Sequence, residues 1–222
     1  MRTLAIGDIH GSYTALTTLL ERVRPRPNDR LVFLGDYIDR GPGSRQVIDT
    51  LLELRKSCSP VFIRGNHEVM FLQSRIDPDQ SNLWQSYGGL ETLHSYGAQY
   101  RDDWVSLIPN AHWEFFEQTI RYLETDTHIF VHACLDANLD MNDQPDSILF
   151  WEYFEAMKPH KSGKRVLCGH TPQPRGKILD VGFAVCIDTA PATGGWLTCL
   201  DVYSGEFWQA NEHGQTRDGA LP

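Results

Sequence analysis

The chain has 222 residues, of which 41% are hydrophobic and 22% charged, with a formal net charge of −9. These proportions exclude a disordered chain, a fibre and a membrane bundle, and no apolar run approaches the ~18 residues of a membrane span. So acidic a chain lacks the global attraction for nucleic acid or an anionic membrane, and neither is expected as a partner.

In chain order, Thr3–Ile6 reads as a short buried strand. Residues 13–23 have apolar positions at helical spacing behind Ser12 as N-cap, and Pro25 and Pro27 end that helix. A strand over 30–34, a helix over 45–56 with Val47, Ile48, Leu51, Leu52 and Leu54 on its apolar face, and a strand over 60–63 follow. This β-α-β-α-β order argues a layered α/β fold. Residues 68–118 read as helical and rich in Trp and Tyr, which we take as core packing. Two short strands joined near Asp126 fill 119–131, and a helical stretch runs over 148–157. Strands return at 166–168, 178–180, 184–187 and 196–202. We expect one catalytic domain over residues 1–210 and a loose, polar C-terminal tail over 211–222.

The five cysteines (58, 134, 168, 186 and 199) are scattered and form no C-x-x-C pair. They read as reduced thiols in strands. Met1 leads directly into the first strand with no room for a signal peptide, so a cytoplasmic location is expected.

The chemistry falls where strands end. The first three strands run into Gly7-Asp8-Ile9-His10-Gly11, Gly35-Asp36-Tyr37-Ile38-Asp39-Arg40-Gly41 and Arg64-Gly65-Asn66-His67-Glu68. Later strands run into His132-Ala133-Cys134 and Gly169-His170-Thr171. Ligands of α/β sheets bind beyond the carboxyl ends of strands, so these turns can converge. One Asp or His after a strand is an ordinary turn residue. Five such turns with complementary donors argue a metal site. Asp8, His10, Asp36, Asn66, His132 and His170 offer only oxygen and imidazole nitrogen, which suits Mn²⁺, Fe or Zn²⁺ better than Ca²⁺. Asp36 has two oxygens and can bridge two ions. His67 can protonate a leaving alkoxide, with Asp39 orienting it. Arg40 and Arg64 flank the same turns and can fork onto phosphate oxygens. His94, His112, His128 and His160 lie outside these turns and read as structural. No G-x-S-x-G elbow accompanies Ser12 or Ser44.

The first three blocks resemble the signature motifs of the phosphoprotein phosphatase (PPP) family of calcineurin-like metallophosphoesterases, and most closely its compact bacterial and phage serine/threonine members. His132 and Gly169-His170 look like that family's two C-terminal metal histidines. The resemblance implies a four-layer α/β/β/α sandwich of two mixed sheets. It implies two divalent ions, Mn²⁺ first, with Fe or Zn as alternatives. Asp8, His10 and Asp36 would hold one, and Asp36, Asn66, His132 and His170 the other. It also implies the His67–Asp39 acid pair, phosphate binding by Arg40 and Arg64, and direct attack by a hydroxide bridging the ions, without a phosphoenzyme.

The implied substrate is a phosphorylated protein or peptide, chiefly on serine and threonine, with tyrosine as an extension. The alternative is a diadenosine tetraphosphatase-like hydrolase cleaving a nucleotide phosphoanhydride. One departure bears on the choice. Family members carry a second phosphate-binding arginine between the two C-terminal histidines, often a residue or two after a Trp. Here that stretch is Leu149-Phe150-Trp151-Glu152-Tyr153-Phe154. Lys158, Lys161, Lys164 and Arg165 are the nearby substitutes, and spacing places none of them. A binding module that has lost turnover is a further class, disfavoured by the complete polar set.

Overall fold

The computed structural model describes residues 1–221, Pro174 by its backbone alone. Two mixed sheets form its centre. The first contains β1 (Thr3–Ile6), β2 (Arg30–Phe33), β3 (Val61–Phe62), β9 (Leu197–Asp201), β10 (Glu206–Ala210) and β11 (Thr216–Ala220), ordered β11-β10-β9-β1-β2-β3. The second contains β4 (Tyr122–Glu124), β5 (His128–Val131), β6 (Arg165–Cys168), β7 (Leu179–Asp180) and β8 (Ala184–Cys186), ordered β4-β5-β6-β8-β7.

The period-two alternation of each strand builds the layers. Leu4 and Ile6 of β1, and Leu31 and Phe33 of β2, face a core shared with α1 (Tyr13–Val23), α2 (Ser44–Leu54) and α3 (Asn66–Ser74). Between them, Ala5 and Val32 face the other way and meet Phe130, Leu167 and Val185 of the second sheet. Ile129, Val131, Val166, Cys168, Ala184 and Cys186 turn from that interface toward Leu149 and Phe150 of α8 (Asp146–Trp151). Three apolar seams therefore separate four layers, as expected. Each buried Phe or Leu in them contributes about 1.5–3 kcal/mol of transfer free energy.

The elements between the sheets are helical, as their composition suggests: α4 (Pro78–Trp84), a π-turn over residues 85–89, α5 (Leu90–Ser95), α6 (Trp104–Leu107) and α7 (Asn110–Glu117). Their aromatic residues pack rather than line a stacking surface. Phe71 lies flat on Trp113 at 4.6 Å, and Trp84, Trp104 and Phe116 close around it. All five cysteines are buried and free. Among the described residues no helix is long and apolar enough to cross a membrane.

The expected loose tail needs correction. Residues 216–220 form β11, antiparallel to β10, while residue 222 lies outside the described residues. All five β11 residues are exposed. An edge strand needs backbone pairing, not apolar side chains, so its polarity gave no signal. The tail also completes α1. Ser12 sits at the N-cap, yet its hydroxyl is buried without a partner. Glu212 Oε1 instead accepts the Ala15 N–H at 2.9 Å in the first turn. Replacing Glu212 by Ala should cost about 1 kcal/mol, the usual scale of a lost helix cap, read from urea unfolding. An unchanged midpoint would mean water serves that N–H equally well.

Candidate metal centre

The turn after β1 and the turn after β2 hold each other. The N–H groups of Ile9 and His10 both donate to the Asp36 carbonyl, and that of Gly11 to Tyr37. This crossing forces His10, Asp36, Asp39 and Arg40 to φ of 48°, 51°, 73° and 69°. Non-glycine residues in this left-handed region are strained, and strain of this kind gathers at functional sites. Glu68 pins the arrangement from α3. Its buried carboxylate accepts the N–H groups of Asp36, Tyr37 and Gly65 at 2.8–2.9 Å. Burial, with the Asp36 charge nearby, pushes the Glu68 carboxyl up to about 8.

Asp36 lies at the middle of the cluster. Its Oδ2 is 3.3 Å from His10 Nε2, and its Oδ1 is 3.4 Å from His132 Nε2. Asn66 Oδ1 sits 2.9 Å from His132 Nε2 and 3.1 Å from His170 Nδ1. The ring orientations are fixed from outside: His10 Nδ1 donates to the Ile38 carbonyl and His132 Nδ1 to the Leu34 carbonyl. Backbone contacts of this kind set which nitrogen faces a metal. Two groups of potential ligand atoms result, His10–Asp36–His67 and Asp36–His132–His170, each within 4.8 Å and sharing Asp36.

Asp8 joins them from β1. It is fully buried, its Oδ2 accepts the His170 N–H at 2.9 Å, and its Oδ1 has no hydrogen-bond partner. The chain passes over that oxygen at Gly169, where a Cβ would stand 1.9 Å from it. A cation suits an orphaned buried carboxylate oxygen among imidazoles, and the donors fit Mn²⁺, Fe or Zn²⁺. Burial, then Asp188 and Asp36, raise the Asp8 carboxyl well above the carboxylate range. For Asp36 burial acts upward too, but His132, His67, His10 and His170 outweigh it and hold the carboxyl well below that range. Burial and the neighbouring His132 push His170 down to about 4, so it is a neutral donor.

His67 opens onto the same cluster. Its Nδ1 lies 2.7 Å from Asp39 Oδ2, and its Nε2 is 3.9 Å from Asp36 Oδ2. Asp39 is wholly buried, with Trp84 Nε1 donating to Oδ2 at 2.8 Å and Thr92 Oγ1 to Oδ1 at 2.6 Å. Burial works against the His67 cation, but the Asp36 charge and the Asp39 hydrogen bond prevail and raise its pKa. Arg40 spans the front, NH1 2.9 Å from His10 Nε2 and NH2 3.1 Å from His67 Nε2. Its backbone N–H donates to the Gly88 carbonyl in the π-turn. Gly88 has φ of 108°, and a Cβ there would meet Arg40 N at 2.7 Å.

Nine of the ten expected site residues thus converge. Arg64 does not. Its Nε donates to Thr119 Oγ1 and its NH2 faces the carbonyls of Phe116, Glu117 and Thr119, at the C-terminal end of α7. The free carbonyls of a helix end attract a cation, and they hold Arg64 apart from the Asp36 cluster. Of the nearby cations, Lys161 pairs with Asp140, Lys164 with Glu124 and Arg165 with Asp180, while Lys158 lines a pocket with Asp136 and Glu152. The sequence reading missed the anchoring roles of Glu68, Trp84 and Thr92, and missed Asp188. The last follows β8 as Asp8 follows β1, so the same strand-then-acid pattern could have found it.

Comparison with known proteins gives the family. The model of the calcineurin-like phosphoesterase family matches residues 1–195. The chain belongs to that family. Among relatives, serine/threonine-protein phosphatase 1 of Salmonella typhimurium is 32% identical over 89% of this chain and 90% of its own. The asymmetrical bis(5′-nucleosyl)-tetraphosphatase PrpE of Anoxybacillus flavithermus is 42% identical over 88% of each. A crystal structure provisionally named a diadenosine tetraphosphatase superimposes with a TM-score of 0.67 at 21% identity, covering 99% of this chain and 93% of that one. The last match speaks to the fold. The chain spans half or less of the eukaryotic phosphatases it also matches. Within the family, the relatives and motifs make it a PPP-type phosphatase.

Proposed function

We propose that this phosphatase hydrolyses phosphate esters with two divalent cations, Mn²⁺ before Fe or Zn²⁺. Asp8, His10 and Asp36 would hold one, and Asp36, Asn66, His132 and His170 the other. When bound, such ions supply a water of lowered pKa and offset anionic charge at the phosphoryl group. The observation that carries the reading is the buried Asp36 shared by two ligand groups, with the His67–Asp39 pair beside it. Asp39 holds the His67 Nδ1 proton, leaving Nε2 to deliver a proton to the departing oxygen. Arg40 is the guanidinium at the centre, and its fork can turn onto two phosphoryl oxygens.

The first substrate class is phosphoserine or phosphothreonine in proteins or peptides, with phosphotyrosine as an extension. The name of the Salmonella relative supports it. A second class, nucleoside polyphosphates, is supported by the name of the Anoxybacillus relative and by the ring of Tyr153 beside His170. Five unpaired buried cysteines suit the reducing cytoplasm. The decisive comparison is kcat/KM on a phosphothreonine peptide and on diadenosine tetraphosphate, using chelator-stripped protein reloaded with Mn²⁺. A strong peptide preference establishes the first class, and a strong nucleotide preference the second. Metal binding without turnover on either, or on p-nitrophenyl phosphate, would overturn the hydrolase reading.

A further inference from the structure

Tyr153 lies in the stretch over 149–154, for which the family resemblance implied an arginine. It follows α8 in extended backbone, φ −76° and ψ 155°. Its neighbour Phe154 is buried in the second apolar seam, and the Phe154 N–H donates to Thr171 Oγ1 at 2.9 Å, one residue past the ligand His170. With Phe154 anchored inward, Tyr153 is turned outward. Its ring lies 5.5 Å from the His170 ring, tilted by 35°, and the residue is still 59% exposed. The edge of the metal centre on the His170 side is therefore an aromatic face open to solvent. Trp151, 43% exposed, stands two residues before it. Between them, Glu152 is exposed and accepts the Tyr153 N–H at 3.1 Å. A carboxylate there repels a second anionic group, whereas a neutral ring is accepted.

We propose that Tyr153 is a specificity-determining residue, its exposed ring stacking the base of a nucleotide whose phosphate lies at the Asp36 centre. This rests on the hydrolase reading above and favours its second substrate class. The two proposed ions and Arg40 supply the charge for the phosphoryl group, so Tyr153 is left to act on the nucleoside and not on the phosphate. Base–aromatic stacking tolerates any base, since every base has a π-face.

The test measures binding without turnover. Calorimetry on Mn²⁺-loaded protein compares α,β-methylene-ADP with methylenediphosphonate, which has the same non-hydrolysable P–C–P group and no nucleoside. Wild type should bind the nucleoside compound about tenfold more tightly, the scale of one stacked base. Tyr153→Ala should abolish that ratio and Tyr153→Phe should keep it, because the ring and not the hydroxyl acts. Tyr153→Arg should abolish the ratio and tighten methylenediphosphonate severalfold. Equal binding of the two compounds by wild type, or an undiminished ratio in Tyr153→Ala, would overturn the proposal. So would a ratio seen only between benzylphosphonate and methylphosphonate, which would assign the ring to aryl esters. Failure of the hydrolase reading remains distinguishable: the binding ratio would persist in a protein that turns over no phosphate ester.

Discussion

Replacing His67 by Ala should lower kcat by ~10²–10⁴, the usual effect of removing a general acid, while metal content stays near wild type. The argument is geometric. His67 Nδ1 is engaged by Asp39 at 2.7 Å, and Asp39 is itself immobilised by Trp84 and Thr92. A carboxylate with three donors and no solvent contact cannot turn away, so the imidazole is held with Nε2 toward Asp36 and Arg40. That is the atom able to give a proton to a leaving oxygen. Steady-state kinetics with metal analysis by mass spectrometry separates two roles, because His67 also falls within 4.8 Å of the His10 and Asp36 ligand atoms. Loss of one ion together with activity would make His67 a ligand. Unchanged kcat would remove it from the chemistry. Asp39→Asn should act in the same direction and less strongly, since the amide can still accept from Nδ1.

The parts of this site that were legible in the sequence are those carried by strand ends. A strand must alternate to serve two seams, and its apolar run stops where the chain leaves the sheet. Gly7-Asp8, Gly35-Asp36, Gly65-Asn66 and Gly169-His170 stand out against that pattern, and seven of the strands could be bounded to within a residue. What escaped notice is held by contacts between distant segments. Trp84 reaches Asp39 from 45 positions away. Helical periodicity says only that Trp84 is buried, and its indole N–H donor role depends on how α4 lies against the turn after β2. The surroundings of Arg64 were hidden for a similar reason. Its place beside the Asn66 turn suggested phosphate, but the end of α7 arrives there in three dimensions and offers it carbonyl oxygens. The polar strand β11 shows the limit of hydropathy at a sheet edge, where pairing is made by backbone alone.

On the two-ion reading proposed above, Mn²⁺ should stabilise the wild-type protein against heat, and Asp36→Asn should abolish that stabilisation while leaving the metal-free protein close to wild type. The two halves of this expectation have different causes. Asn is nearly isosteric with Asp and tolerates the left-handed backbone, so φ of 51° at this position is no obstacle. An amide oxygen can still accept the His67 N–H, which Asp36 Oδ1 accepts at 3.1 Å. The fold therefore loses little. The metal centre loses its shared anion. Asp36 is buried among the imidazoles of His132, His67, His10 and His170, and the two ligand groups have only this carboxylate in common. Neutralising it would leave two bound cations with a neutral amide in place of the shared anion. Affinity for at least one should then fall by more than the ~10–100-fold that loss of an outer-sphere partner costs. A ligand that binds only the native state stabilises it by RT ln(1 + [L]/Kd), so a Mn²⁺ titration followed by thermal unfolding reads a loss of affinity directly. An undiminished Mn²⁺ shift, with two ions retained per chain, would move the bridge away from Asp36. The orphaned oxygen of Asp8 would then be the next place to look for it.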